Sequence, residues 1–149
     1  MALLAGEIVT AGRLGRMQPV TYEAQASGAL AMTDTTETDI PGATVTLSTA
    51  AANAIYVVTA TFDASVTTTN ASTLMVGKLT VDGSIQTGTA IHAMDTALRT
   101  TIPMTWRGTL ASAGSHTLKL RGNLSAAAAG TASFIQTNTR IAITILEVV

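Results

Sequence analysis

Apolar and polar side chains alternate along most of this chain, with the period that a half-buried β-strand requires. The alternation is most regular in residues 99–122, RTTIPMTWRGTLASAGSHTLKLRG, where Ile102, Met104 and Trp106 share one face. A second alternating run follows Gly114, which suits a tight loop because glycine readily adopts a positive φ. The pattern therefore predicts a long antiparallel hairpin with Trp106 on its inner face.

Short alternating runs separated by turn-forming residues account for the rest of the chain after residue 19, which is typical of a β-sandwich or barrel. Asp82-Gly83, between two such runs, is the preferred two-residue turn of a type I′ hairpin. Polar residues 34–42 and 66–73 and the alanine-rich residues 125–130 predict loops. The other strand candidates are residues 20–26, 30–33, 43–47, 55–63, 74–81, 84–94, 132–136 and 140–149. About eight to ten strands with almost no helix predict an all-β, antiparallel jelly-roll sandwich.

Large apolar side chains on the regular faces of these strands are the candidates for its core. A chain of 149 residues is long enough for one domain with a substantial core of its own. The predicted core residues are Tyr56, Val58, Phe62, Trp106, Leu118 and Leu120.

The last strand, RIAITILEVV, is apolar on both of its faces. Ile141, Ile143 and Ile145 lie on one face, and Leu146 and Val148 lie on the other with Ala142. A strand that is apolar on both faces needs cover on both. The core of a sandwich covers one face, so the other is expected to meet another subunit. Because the pattern leaves open which face does so, the interface candidates are Ile141, Ile143, Ile145, Leu146 and Val148.

Residues 1–19 differ from the rest and are predicted to form an N-terminal arm, with the jelly-roll domain in residues 20–149. A helical turn beginning at Thr10 is expected, because threonine is a permissible N-cap, and Pro19 would end it. The apolar start is too short for a secretory signal and meets Glu7 almost at once. The residues expected to anchor the arm are Ile8, Arg13, Leu14, Arg16 and Met17.

The composition changes this picture in one respect. The net charge is −1 and charged residues make up 11% of the chain, so nothing draws it to nucleic acid or to an anionic membrane. No apolar run approaches the roughly 18 to 20 residues that a membrane helix needs. Soluble domains carry about 25% charged residues, so the small charged fraction indicates surfaces that pack against other protein.

Candidate chemistry is sparse. His92 and His116 have no second ligand at metal-binding spacing, and Ser115 points to the opposite face of its strand from His116. No cysteine is present to supply a thiolate. The sequence therefore predicts no catalytic, metal or cofactor site. The carboxylates expected in loops are Asp34, Glu37, Asp39, Asp63, Asp82 and Asp95.

Individual residues have structural interpretations. Asp82 is explained by its turn, and Asp63 is expected to anchor a loop by hydrogen bonds. Trp106 is expected in the core or an interface, the alternative being a platform on which a sugar stacks. The basic residues of the hairpin are expected to share a solvated face; they are Arg99, Arg107, Lys119 and Arg121.

Six segments that together span nearly the whole chain resemble small virion proteins of tailed phages that infect actinobacteria. The segments are AGEIVTAGRL, TDIPGATVTL, YVVTATFDAS, LTVDGSIQTG, TWRGTLASAGSHTLKLRG and IAITILEV. That family is similar in strand layout to the jelly roll of tumour necrosis factor and of the complement globular head. The resemblance implies a compact homotrimer in the virion, with residues 1–18 as its arm. It carries no catalytic residue to this chain.

The resemblance leaves two roles open. One is a capsid decoration protein, docked on the major capsid protein or another virion protein and reinforcing the shell. The other is a tail-fibre or receptor-binding knob that recognises a host-surface glycan or protein. A knob normally follows a long shaft, and only about 18 residues precede the first predicted strand here, which favours decoration. A glycan hydrolase is the least favoured reading, because it needs two converging carboxylates.

Overall fold

The computed structural model describes residues 11–127 and 130–147, without the side chains of Arg13 and Arg16. The predicted residues Ile8 and Val148 lie outside the described residues. One short helix precedes ten strands. Their bounds are α1 Ala11–Arg16, β1 Val20–Gln25, β2 Leu30–Met32, β3 Thr38–Thr49, β4 Ala54–Thr68, β5 Asn70–Val81, β6 Ser84–Ile85, β7 Ala90–Met94, β8 Arg99–Leu110, β9 Gly114–Leu124 and β10 Thr131–Leu146.

The strands form two five-stranded antiparallel sheets. Sheet 1 has the order β1-β10-β4-β8, with β2 also paired to β10. Sheet 2 has the order β3-β9-β5-β6, with β7 also paired to β5. Most neighbours in a sheet are distant in sequence, and the inner faces of the two sheets enclose one core. The domain is an all-β jelly-roll sandwich, as the alternation predicts.

The core contains the six residues that the pattern singles out: Tyr56, Val58, Phe62, Trp106, Leu118 and Leu120 are all buried. Phe62 lies at its centre and meets the ring of Trp106 edge-on, with the ring centroids 6.3 Å apart. The indole Nε1 of Trp106 donates a hydrogen bond to the Gly88 carbonyl at 3.0 Å. Trp106 is therefore a core residue and offers no surface on which a sugar could stack.

Glycines in sheet 2 make room for the aromatic rings of sheet 1. A Cβ on Gly77 in β5 would lie 2.6 Å from the ring of Phe62, and one on Gly122 in β9 would lie 2.8 Å from the ring of Phe134. Contacts this short do not occur between real side chains, so only glycine fits at these two positions. The rings can then cross from one sheet to the backbone of the other.

The hairpin predicted for residues 99–122 is wrong in its pairing, although both strands exist. β8 pairs with β4 in sheet 1, whereas β9 pairs with β3 and β5 in sheet 2. The short connection between them crosses from one sheet to the other. Alternation shows that two runs are strands but not that they are neighbours, so a crossing connection and a hairpin look alike in sequence. The shared basic face predicted for Arg99, Arg107, Lys119 and Arg121 is wrong for the same reason.

Two predicted loops are largely strand. Residues 66–73 contain the end of β4 and the start of β5, because threonine-rich segments suit strands as well as surfaces. β3 already begins at Thr38, and its pairing with β9 shifts between Asp39 and Thr44. The Asp82-Gly83 turn is as predicted, with φ of 50° and 82° at its two residues.

Candidate interaction surfaces

The last strand, β10, buries its isoleucines in its own chain. Ile141 and Ile143 are fully buried in the core and Ile145 is 4% exposed. Their assignment to a subunit interface is therefore wrong, because the core of one copy already covers that face of the strand. Leu146 points the other way and is 39% exposed. Of the predicted interface residues that the structure describes, Leu146 is the one available to a neighbour.

The outer face of sheet 1 is built mostly from small and β-branched uncharged side chains. On its two inner strands, Leu146 of β10 lies opposite Ile55 of β4, and Thr144 lies opposite Val57. Val57 is 38% exposed. Further along, Ala142 faces Thr59 across the same pair of strands. These side chains carry no charge; the charged neighbours are on the flanking strands, where Arg107 of β8 lies opposite Val57 and Glu23 of β1 lies opposite Ala142.

The outer face of sheet 2 differs because charged side chains lie on its β3, β9 and β5 strands, while Ile85 of β6 and Ile91 of β7 are exposed on its edge strands. Lys78 pairs with Glu37, and Arg121 Nη1 lies 3.3 Å from the other carboxylate oxygen of Glu37. Asp39 accepts from Lys119 Nζ at 2.8 Å and lies 2.9 Å from Arg121 Nε. The hydrogen bond from Lys119 and the nearby Arg121 lower the pKa of Asp39 against the opposing effect of burial. Such a network keeps its charges paired while it faces water.

Asp63 fixes a bulge in β10. The pairing of β10 with β4 is interrupted between Ile135 and Arg140, so residues 136–139 have no register partner in β4. The Asp63 carboxylate is 1% exposed and accepts from Arg99 Nη2 at 2.6 Å and from the Asn138 backbone N at 3.1 Å. The Arg99 guanidinium, aided by Asn138, lowers the pKa of Asp63 although burial opposes it. Asp63 thus has the anchoring contacts that the sequence suggests for it.

The buried His116 pairs with the half-exposed Asp82, a contact that the sequence did not reveal. The imidazole is 4% exposed; its Nδ1 lies 2.6 Å from Asp82 Oδ2 and its Nε2 lies 3.0 Å from the Ser112 carbonyl oxygen. Both partners accept hydrogen bonds, so the ring satisfies them only with both nitrogens protonated. The hydrogen bond to Asp82 raises the pKa of His116 despite the opposing effect of burial. The charged ring joins the β5–β6 turn to the β8–β9 connection.

We expect the free energy of unfolding to fall as the pH rises above about 6.5. A group with a raised folded pKa stabilises the fold fully below its unfolded pKa of 6.5 and loses that contribution as the pH passes its folded value. A loss of about 1.5 kcal/mol, the low end for a hydrogen bond to a charged group, is expected because Asp82 is 47% exposed. Urea unfolding at several pH values from 6 to 9 measures it. Asp82→Asn should flatten this dependence, and an unchanged profile in that variant would contradict the assignment.

The helical arm exposes apolar side chains beside the sandwich. Leu14 is 54% and Met17 44% exposed. Gly15 and Gln18 border a shallow groove that also contains Tyr22, and Glu147 at this end accepts a hydrogen bond from the Ala50 backbone N at 2.7 Å. Leu14 and Met17 therefore have apolar surface to place against a further partner.

The part of the chain that the structure describes contains neither a cluster of metal-binding side chains nor a helix that could span a membrane. No three side chains of the types that bind metals come together in residues 11–127 and 130–147. None of the helical segments found there has the length and apolar character to span a bilayer.

Comparisons with known proteins define the fold class. No protein-family model matches the sequence, and no curated protein matches it. Among solved structures, this chain is similar to Eiger, a TNF from S. frugiperda, at a TM-score of 0.51 and 12% identity, covering 88% of this chain and 94% of that one. It is also similar to the tripod from the baseplate of bacteriophage Tuc2009, at a TM-score of 0.52 and 11% identity, covering 99% of this chain and 73% of that one. These likenesses show the fold, a jelly roll similar to those of the two proteins.

Proposed function

We propose that this chain is a non-enzymatic structural protein of a tailed-phage virion, that it assembles as a homotrimer, and that it decorates the capsid. The contrast between the two sheets carries the proposal. The inner strands of sheet 1 present the uncharged Ile55, Val57 and Leu146, with unpaired charges only on the flanking strands and at Arg140, whereas β3, β9 and β5 of sheet 2 present an ion-paired network. A trimer that packs sheet 1 inward would cover these apolar side chains and leave the ion-paired network of sheet 2 in water.

The virion location is supported by two likenesses. The sequence resembles small virion proteins of tailed phages of actinobacteria along nearly its whole length, and its fold is similar to a phage baseplate tripod. Neither identifies the particle surface that the protein occupies. The arm favours the shell, because Leu14 and Met17 are exposed apolar groups that a docked partner such as the major capsid protein would cover.

The second candidate is a tail knob that binds a host-surface glycan or protein. The baseplate origin of one structural neighbour is the observation that favours it. Particle images separate the two roles: decoration requires many copies spread over the head, whereas a knob requires a few copies at the tail.

Deleting residues 1–18 tests the arm. We expect the truncated protein to remain a folded trimer, because the arm contributes nothing to the described core, and to lose its attachment to capsids. Binding of purified full-length and truncated protein to particles that lack this protein can be compared by co-sedimentation, with sedimentation velocity as the control for assembly. Normal attachment of the truncated trimer would contradict the anchoring role.

A further inference from the structure

The charged residues of the strands fall into two groups. Most are paired within the chain: Asp63 with Arg99, Asp82 at the end of β5 with His116, and the network on sheet 2. Three strand residues in the described ranges are exposed and form no ion pair there, and all three lie on the outer face of sheet 1. They are Glu23, Arg107 and Arg140.

Glu23 and Arg107 occupy opposite edges of that face. Glu23 is on β1 and Arg107 on β8, the first and last strands of the order β1-β10-β4-β8. Glu23 pairs with Ala142, Ala142 pairs with Thr59, and Thr59 pairs with Thr105. Glu23 and Thr105 therefore lie in the same row of residues across the four strands. Arg107 is two residues from Thr105, or about 7 Å along the strand.

Within one copy these two charges are too far apart to pair. Three strand spacings separate β1 from β8, a distance of about 14 Å at the usual spacing of neighbouring strands. A ring of three copies has a different geometry, because a cyclic trimer joins two different surfaces of each subunit head to tail. If sheet 1 faces the axis, the β1 edge of one copy meets the β8 edge of the next.

We propose that Glu23 of each copy forms an ion pair with Arg107 of the next copy around the trimer. This inference rests on the trimer of the proposed function and names the contact that sets its direction of assembly. The opposite charges stand on the two edges that must meet, at levels that long side chains can join. Three such pairs at the rim of the interface would fix its register, which is the usual role of charges at an interface.

Arg140 provides the competing explanation. It lies on β10 opposite Gln25, two residues from the partner of Glu23, so the two could meet diagonally within one copy. In that case Arg107 would be irrelevant to Glu23. The experiment must therefore vary both arginines.

Charge reversal in the full-length protein separates these possibilities. The variants are Glu23→Arg, Arg107→Glu, the double exchange of both, and Arg140→Glu, with Thr46→Arg on sheet 2 as the control for net charge. Analytical ultracentrifugation at 50 mM and 500 mM salt gives the concentration at which half of the trimers dissociate. Circular dichroism establishes that each variant is folded, and the neutral variants Glu23→Gln and Arg107→Gln replace any reversal that is not.

We expect each single reversal of the proposed pair to raise that concentration at least about tenfold at low salt, and the double exchange to restore it to within about threefold of wild type. Thr46→Arg and Arg140→Glu should have less effect. The pair would be overturned if the two single reversals weaken the trimer additively in the double variant. It would also be overturned if Arg140→Glu reproduces the effect of Glu23→Arg and Arg107→Glu does not. A wild-type protein that is monomeric at every concentration would instead refute the trimer itself.

Discussion

Replacing Ile143 with aspartate is expected to abolish folding. Ile143 is fully buried at the middle of β10, where it lies between Tyr22 of β1 and Val58 of β4. A carboxylate there would have no partner, and its burial costs as much as the whole stability of an ordinary domain, about 5–15 kcal/mol. Circular dichroism and the soluble yield of the purified variant measure the outcome.

Thr144→Asp is the matched control for that substitution. It introduces the same charge one residue further along β10, where the side chain points to the outer face of sheet 1, and we expect a folded chain. A folded Ile143→Asp variant with a melting temperature near that of wild type would contradict the assignment of the isoleucine face to the core.

Replacing Val57 or Leu146 with aspartate is expected to give folded monomers. Both side chains are more than one-third exposed on the outer face of sheet 1, so neither substitution should disturb the core. In the proposed trimer each would place three carboxylates in the interface; Arg107 on β8 lies opposite residue 57, whereas no cation lies opposite residue 146. We expect the half-dissociation concentration to rise at least about a hundredfold, or about 5.5 kcal/mol per trimer, because the dissociation constant of a trimer varies as the square of that concentration. Sedimentation equilibrium measures the mass, and thermal melting establishes the fold.

Ile91→Asp is the control on the other sheet. Ile91 is 52% exposed, and its partner in the register is Val76 on the outer face of sheet 2. We expect this variant to remain trimeric, because that face is directed to water in the proposed assembly. Normal trimers from both sheet 1 variants, or loss of trimers from Ile91→Asp alone, would move the interface away from sheet 1.

Local pattern was sufficient for the class of fold and for the core. Alternation places Tyr56, Val58 and Phe62 on one side of β4, and a strand with that pattern can bury only that side. The Asp82-Gly83 turn was likewise predictable from the sequence, because its backbone geometry depends on two adjacent residues. Such features are local, and a single sequence records them directly.

The sequence alone did not predict which distant strands and side chains pair with each other. Nothing in residues 99–122 reveals that β8 and β9 enter different sheets, because the alternation of each strand is satisfied in either arrangement. Asp82 and His116 are far apart in the chain, and Asp82 already had a sufficient explanation in its turn. Asp82 has no basic residue directly beside it in the sequence, which hinted at a partner from a distant part of the chain. That hint did not identify His116 as the partner.

The final strand shows where a correct physical argument led to the wrong residues. Both faces of RIAITILEVV look apolar when Ala142 and Leu146 are counted alike, yet the structure gives the large isoleucines to the core and leaves a modest outer face of Ala142, Thr144 and Leu146. Side-chain volume, rather than the number of apolar positions, was the better guide, because a sandwich core is filled by its largest side chains.

The position of β10 has a consequence for biosynthesis. It pairs with β1, β2 and β4 and so lies inside sheet 1, but a ribosome makes it after the other nine strands. Until it emerges, β1 has no hydrogen-bonding neighbour in that sheet. We therefore expect the nascent polypeptide to complete this sheet only after β10 has been synthesised, so that chains that stop before β10 present no assembled β1–β10–β4 surface to a partner.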